Sequence, residues 1–378
     1  MPAVVKLLAA LLSKSVMKAN FLLSFIVTII FSGCVDKTPP PLSPATKAAN
    51  SMADPQLRSV LDELNALQPL PIETLSVEDA REQPSMADAM KSYIRRKNIT
   101  LTALELADID DRTLTLNDKS VPARIYTPLG DGPFPVLVYA HGGGWVIANL
   151  KTYDASCRAL SKMADAIVIS VDYRKAPEYK FPAAHEDVYT ALQWAFANAE
   201  SINGDPNRVA VGGESAGGNM AGAVALMAKE RNSKLPVHQL LIYPVTDNNT
   251  DTISYREFAE AQPLSRAMML WFFEKYMKNT SDNNNKYLFP LKASQAELEH
   301  LPPATVITAQ IDPLRSEGRM YADRLASAGN EVEYKNFDGV THDFFGTGEV
   351  VDTALEAEMF AAASLRKAFS KNKTIKPQ

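Results

Sequence analysis

Strand-like and helix-like spacing alternate through most of this chain. Leu57, Val60, Leu61, Leu64 and Leu67 recur at helical intervals, as do Met86, Met90, Tyr93 and Ile94, so residues 51 to 97 are expected to form one-sided helices that need a surface to cover. From Thr113 the period changes. Leu114 and Leu116, residues 123–126 and the unbroken apolar run 136–140 read as strands, followed by 167–171, 209–211, 240–243, 304–308 and 332–334, with helical patterns between most of them. This alternation predicts an α/β architecture: a mostly parallel, twisted sheet with helices on both faces. Between Tyr243 and Leu301 the rhythm breaks. An insertion carries a polar, turn-rich stretch, a helix with Met268, Trp271, Phe272 and Tyr276 on one face, and a loop at 281–285. It reads as a cap, and the aromatic stripe as packing.

The N-terminal pattern differs from the rest. Residues 21–31 hold nine apolar residues in eleven, follow Lys14 and Lys18, and end in Phe31-Ser32-Gly33-Cys34. Eleven helical residues rise only about 16 Å, roughly half a bilayer's hydrocarbon core, so residues 1–33 read as a secretion signal rather than a spanning helix. The closing tetrapeptide resembles a bacterial lipoprotein cleavage box, which makes Cys34 the expected acylation site and the protein an exported, membrane-anchored lipoprotein. Met17-Lys18 opens a stretch that is a complete signal by itself, and translation is expected to start there. Prolines 39, 40, 41 and 44 mark residues 34–50 as a semi-rigid tether. Residues 51–100 then form N-terminal cap helices, and 101–378 the main domain with its cap insertion at about 245–290.

Charge and composition narrow the partners. The net charge is -5 from 39 basic and 44 acidic residues, and with Lys6, Lys14 and Lys18 set aside the remainder carries -8, which argues against a nucleic-acid partner. Cys34 and Cys157 are too few for a disulfide framework or a cysteine-rich zinc site.

Two glycine-rich motifs carry the candidate chemistry. The strand at 209–211 runs into Gly212-Gly213-Glu214-Ser215-Ala216-Gly217-Gly218 and then an alanine-rich helix. Strand, G-x-S-x-G and helix together form a nucleophile elbow, with Gly213 and Gly217 permitting a sharp turn that presents Ser215, and with the Ala216 amide at a helix N-terminus. No Lys-Ser/Thr pair follows, so a phosphate loop is excluded. The strand at 136–140 ends in His141-Gly142-Gly143-Gly144-Trp145, whose glycines suit an oxyanion hole made by the amides of Gly143, Gly144 and Ala216. A serine needs a base and the base an orienting acid. Of five histidines, His342 stands in the loop after the last strand, whereas His141 lies inside the glycine motif and His185, His238 and His300 lie elsewhere. Asp312 directly follows the strand at 304–308 and is preferred as the acid, with Asp338 and Glu317 as rivals. The order Ser215, Asp312, His342 is that of the α/β-hydrolases.

With these residues in view, the sequence from about Thr100 to Phe369 resembles the hormone-sensitive-lipase-like carboxylesterases of the α/β-hydrolase fold. The shared features include Asp172-Tyr173-Arg174-Lys175-Ala176-Pro177-Glu178, Phe181-Pro182-Ala183-Ala184, Ser254-Tyr255, Trp271-Phe272-Phe273 and Asp312-Pro313-Leu314-Arg315. The resemblance implies a triad of Ser215, Asp312 and His342, oxyanion donors at Gly143, Gly144 and Ala216, a structural His141 beside Gly142, and a helical cap. It implies hydrolysis of short- to medium-chain esters without metal or cofactor, and leaves the oligomeric state open, a homodimer included. A non-catalytic binding protein on this scaffold, or an amidase or lactonase using the same triad, are the alternatives. Three positions depart from the family pattern: Glu214 for Asp, Ser316 for Asp and Asp343 for Gly.

Overall fold

A computed structural model describes residues 39–101 and 104–371, and its first element shortens the expected tether. Pro44–Met52 is a helix, α1, where a spacer over 34–50 is expected. The cause is Ser43-Pro44. Ser43 caps the helix, its hydroxyl oxygen accepting from the Thr46 amide at 3.0 Å, and Pro44 takes the first helical position, where no amide hydrogen is required. Ala49 and Ala53 are buried, and Asn50 Nδ2 donates to Gln262 Oε1 at 2.8 Å, so this helix packs on the body. The signal at residues 1–33 and Cys34 lie outside the described residues.

Helices α2 (Pro55–Ala66), α3 (Val77–Arg81) and α4 (Met86–Lys97) follow. Leu57, Val60, Leu61 and Leu64 are buried as their spacing predicts, but Leu67 lies past the end of α2 and stays exposed. The chain then builds β1 (Asp108–Leu116), β2 (Lys119–Thr127), β3 (Phe134–Ala140), α5 (Asp154–Ala164), β4 (Ile167–Val171), α6 (Ala183–Asn198), β5 (Gly204–Glu214), α7 (Ala216–Glu230) and β6 (Gln239–Ile242). The insertion contributes α8 (Ile253–Glu257) and α9 (Arg266–Tyr276). The stretch expected as a loop at 281–285 is largely a 3-10 turn, Thr280–Asn284, capped by Asn279. Last come α10 (Gln295–Leu298), β7 (Ala304–Ile311), α11 (Arg315–Ser327), β8 (Val332–Thr341) and α12 (Asp352–Lys371).

The strands form one sheet in the order β1-β2-β4-β3-β5-β6-β7-β8, antiparallel at β1/β2 and β2/β4 and parallel elsewhere. Strands β3 and β4 are buried along their whole length because both faces are covered. Val136 and Val138 pack with Val188 of α6 and Val224 of α7, while Leu137 and Tyr139 pack with Leu160 of α5, Leu365 of α12 and, in the same cluster, Leu61 and Met90 of the N-terminal helices. Trp271, Phe272 and Tyr276 of α9 are buried in the first of these clusters.

Candidate active site

Four parallel strands end at the residues that carry the candidate chemistry. Strand β3 stops before His141, β5 before Ser215, β7 before Asp312 and β8 before His342. Parallel pairing brings all four ends to one edge of the sheet, the carboxyl edge where such folds place their ligands.

Ser215 sits between β5 and α7 at φ 57° and ψ -118°, a strained conformation for a residue with a side chain. Its amide donates to the Ile242 carbonyl at 2.9 Å, which helps to hold the turn. The flanking glycines serve close packing. A Cβ at Gly213 would lie 2.3 Å from the Ala140 carbonyl oxygen, and one at Gly217 only 1.9 Å from it. The elbow therefore rests directly on the end of β3, and it is Ser215 that takes the positive φ.

The three side chains singled out as a triad meet. His342 Nε2 lies 3.0 Å from Ser215 Oγ, and His342 Nδ1 lies 2.7 Å from Asp312 Oδ2. The second oxygen of Asp312 accepts the Leu314 amide at 2.8 Å. Asp312 is fully buried, and Ser215 and His342 are only 5% and 3% exposed, so the cluster is nearly closed to water. Burial by itself disfavours imidazolium, but the Asp312 charge and hydrogen bond, with the Asp343 and Glu214 carboxyls nearby, outweigh it and raise the His342 pKa.

Gly143 and Gly144 have φ of 97° and 56°. A Cβ on Gly143 would lie 2.3 Å from the Ile147 carbonyl oxygen, and one on Gly144 would lie 2.2 Å from Cγ of Phe272 in the cap. Among the described residues the amides of these two glycines donate to no protein acceptor, and Ala216, the first residue of α7, has no partner within its helix. Three amides, one with a helix dipole behind it, are thus left for an anion. His141 plays another part. It is buried, its Nδ1 lies 2.7 Å from the Gly142 carbonyl oxygen, and the Tyr173 hydroxyl donates to the carbonyls of both His141 and Gly142 at 3.0 Å. Burial pushes its pKa down to about 3, so it stays neutral and braces the loop.

The rival residues lie elsewhere. Glu317 is buried and accepts the amides of Thr246 and Asp247 at 2.6 and 3.2 Å, which fixes the chain entering the cap. Asp338 is exposed and accepts from Asn336. His185 is bound between the Tyr276 hydroxyl and Asn219 Oδ1 at 2.8 and 3.0 Å, His238 meets Thr305, and His300 faces solvent.

The departures from the family pattern also find places. Asp343 has φ 57°, the left-handed conformation that explains why glycine is common there. The Ser316 amide donates to Ser254 Oγ at 3.0 Å, tying the start of α11 to α8. Glu214 is buried between the hydroxyls of Tyr139 and Tyr243. Sequence reasoning missed these tyrosines, as it missed Phe272 over Gly144. A tyrosine at a strand end has no spacing signature, and its partners are distant in the chain.

The α/β-hydrolase fold family matches residues 137–346. Over 263 residues the chain is 39% identical to the carboxylesterase NlhH of Mycobacterium tuberculosis, covering 69% of this chain and 82% of that one. It is 33% identical over 303 residues to an ethyl acetate hydrolase of Pseudomonas putida, covering 79% and 92%. Among solved structures, a thermostable esterase from Pseudomonas putida aligns with TM-score 0.75 at 33% identity, covering 84% of this chain and 98% of that one.

Proposed function

This chain belongs to the α/β-hydrolase fold family, in its hormone-sensitive-lipase-like carboxylesterase branch, and from that premise we propose how it works as a carboxylic ester hydrolase. Ser215 is the nucleophile, His342 the general base and acid, and Asp312 the residue that fixes the imidazole tautomer. As Ser215 Oγ attacks the acyl carbon, His342 Nε2 takes its proton and the carbonyl electron pair moves onto oxygen. The amides of Gly143, Gly144 and Ala216 hold that oxyanion. The tetrahedral species collapses, His342 returns the proton to the departing alkoxide, and an acyl-enzyme remains. Water then attacks with His342 again as base, releasing the acid and restoring Ser215. Side chains, substrate and water balance every step.

One observation carries this reading: a single imidazole within hydrogen-bond distance of both the Ser215 hydroxyl and the Asp312 carboxylate. The nearly closed site, with the Phe272 ring against Gly144, supports acyl groups of short to medium length. Hydrolysis of 4-nitrophenyl esters from acetyl to dodecanoyl, with fluorophosphonate labelling, tests both points. Wild type should prefer the shorter half of the series and take the label, and Ser215→Ala should do neither. Near-wild-type turnover by the alanine variant overturns the assignment.

Export and acylation at Cys34 are part of the same proposal, supported by the short apolar run and the Phe31-Ser32-Gly33-Cys34 sequence. Among the described residues no helix is long and apolar enough to cross a membrane, so this anchoring rests on the N-terminal segment alone. Radioactive fatty acid should label wild type and leave Cys34→Ala unlabelled; equal labelling of both defeats it.

A further inference from the structure

The residues that follow His342 and precede Ser215 in the chain are both acids, and tyrosines grip both. Glu214 is fully buried, and its Oε1 and Oε2 accept the hydroxyls of Tyr139 and Tyr243. Tyr139 comes from β3 and Tyr243 directly follows β6. Asp343 Oδ1 accepts the Tyr153 hydroxyl at 2.9 Å, and that hydroxyl lies against the oxyanion loop, 2.2 Å from where a Cβ on Gly142 would be. The nucleophile turn, the oxyanion loop and the histidine loop are thus bound to one polar cluster in a dry interior.

Two further features single out Tyr243. Its ring meets the His342 imidazole with centroids 4.6 Å apart and planes at 52°, and it also meets Phe344 at 5.8 Å. Its backbone has φ 32°, a conformation that a bulky aromatic rarely adopts. Surrounding structure must hold such a residue in place, and strain of this kind gathers at working sites. Here the backbone amide donates to the Ile307 carbonyl at 2.6 Å while the hydroxyl is bound by Glu214, so the residue is fixed at both ends. Burial raises the Tyr243 pKa and keeps the hydroxyl protonated as a donor. A leucine here would fill space without a buried carboxyl to desolvate.

We propose that Tyr243, anchored by Glu214, is a positioning residue that holds the His342 imidazole between Ser215 and Asp312. The inference rests on the reading of His342 as the base. Contact with Phe344 and the bond from its backbone amide to the Ile307 carbonyl leave the Tyr243 ring little freedom, so a fixed ring packs against the imidazole that bridges Ser215 and Asp312. The groups facing Glu214 are Tyr139 from β3, Tyr243 after β6, Tyr153, Ser156 and Cys157 at α5, and His342 and Asp343 after β8. Burial pushes the Glu214 pKa up to about 8 against the hydrogen bonds from Tyr139, Tyr243 and Ser156. The hold on Tyr243 is the hydrogen bond from its hydroxyl to Glu214 Oε2.

Steady-state kinetics on the whole protein test this with Tyr243→Phe, Glu214→Gln, the double variant and Tyr139→Phe. Tyr243→Phe keeps the ring and removes the anchor. It should lower kcat about tenfold, leave KM within about twofold, and move the acidic limb of kcat/KM down toward the ordinary imidazole value as the contact with Asp312 loosens. The double variant should be no worse than the poorer single, because both remove one interaction. Tyr139→Phe, which takes a hydroxyl from the other carboxyl oxygen, should leave the limb in place. Unchanged kcat and limb in Tyr243→Phe overturn the proposal, as do losses that multiply in the double variant or an equal limb shift in Tyr139→Phe. Melting midpoints separate misfolding from mispositioning, and Glu214→Gln reports on the anchor if Tyr243→Phe does not fold. Ser215→Ala in the same series keeps the two readings apart: its inactivity beside a wild-type Tyr243→Phe sinks only the positioning role, and its activity sinks the assignment of Ser215.

Discussion

Asp312 divides its two oxygens between the His342 imidazole and its own backbone, with Oδ2 at 2.7 Å from His342 Nδ1 and Oδ1 accepting the Leu314 amide at 2.8 Å. Asp312→Asn separates these jobs. Its carbonyl oxygen can keep the Leu314 bond, while its amide group offers hydrogens to Nδ1 and drives the imidazole proton onto Nε2, where Ser215 needs a lone pair. Turnover should fall on the order of 10⁴-fold with little change in melting midpoint. A loss of about tenfold or less would mean that the carboxylate does not set the tautomer.

The same contact fixes the sign of the pH dependence. His342 must be neutral to accept the serine proton, and Asp312 together with Asp343 and Glu214 raises its pKa above the ordinary 6.5 despite burial. The acidic limb of kcat/KM should therefore lie above 6.5. The stability that this group contributes has the opposite trend: it is full below the unfolded imidazole value and is lost as pH rises through the higher folded one. A kinetic limb below 6.5 would contradict the geometry.

Much of this site was legible because its residues stand at strand ends. The apolar runs at 136–140, 209–211 and 304–308 lie within β3, β5 and β7, and chain position after each strand marks His141, Ser215 and Asp312. Other features were not legible. Pro44 reads as a helix breaker until Ser43 is seen to cap the helix that it begins. Glu214 and Asp343 show in sequence only as departures beside Ser215 and His342, whereas in the fold tyrosines from β3, from the turn after β6 and from the approach to α5 bind them. Periodicity records which face a residue occupies, and it is blind to which distant hydroxyl will meet a buried carboxyl.

The N-terminal helices are joined to the oxyanion loop by Arg81. Its guanidinium donates to Glu178 Oε1 and Oε2 at 2.8 and 2.7 Å, to the Val146 carbonyl at 2.9 Å and to the Ala176 carbonyl at 2.9 Å. Glu178 is 48% exposed, so the ion pair itself is worth at most about 1 kcal/mol. The two carbonyls are the larger part, because a lysine's single ammonium cannot match the guanidinium fork. Arg81→Lys should thus cost about 1–2 kcal/mol, more than Glu178→Gln. Urea midpoints decide it, and an equal or reversed ranking would show that the ion pair carries the joint.

Glu358 on α12 gives a prediction about stability away from the chemistry. It is buried, and its Oε1 accepts the amides of Gly346 and Gly348 at 3.1 and 3.2 Å, holding the loop that follows His342. Burial pushes its pKa up to about 7 against those two hydrogen bonds. A carboxyl raised on folding contributes its stability while both states are protonated, below the unfolded value of 4.5, and loses it as pH climbs to about 7. Glu358→Gln keeps an acceptor for both amides and never ionises. The variant should match wild type near pH 4.5 and be more stable by on the order of 1–3 kcal/mol at pH 8, with the gain growing between those limits. Thermal or urea unfolding across this range measures it. A variant less stable than wild type at pH 8 would mean that the charged carboxylate is the form that holds the loop.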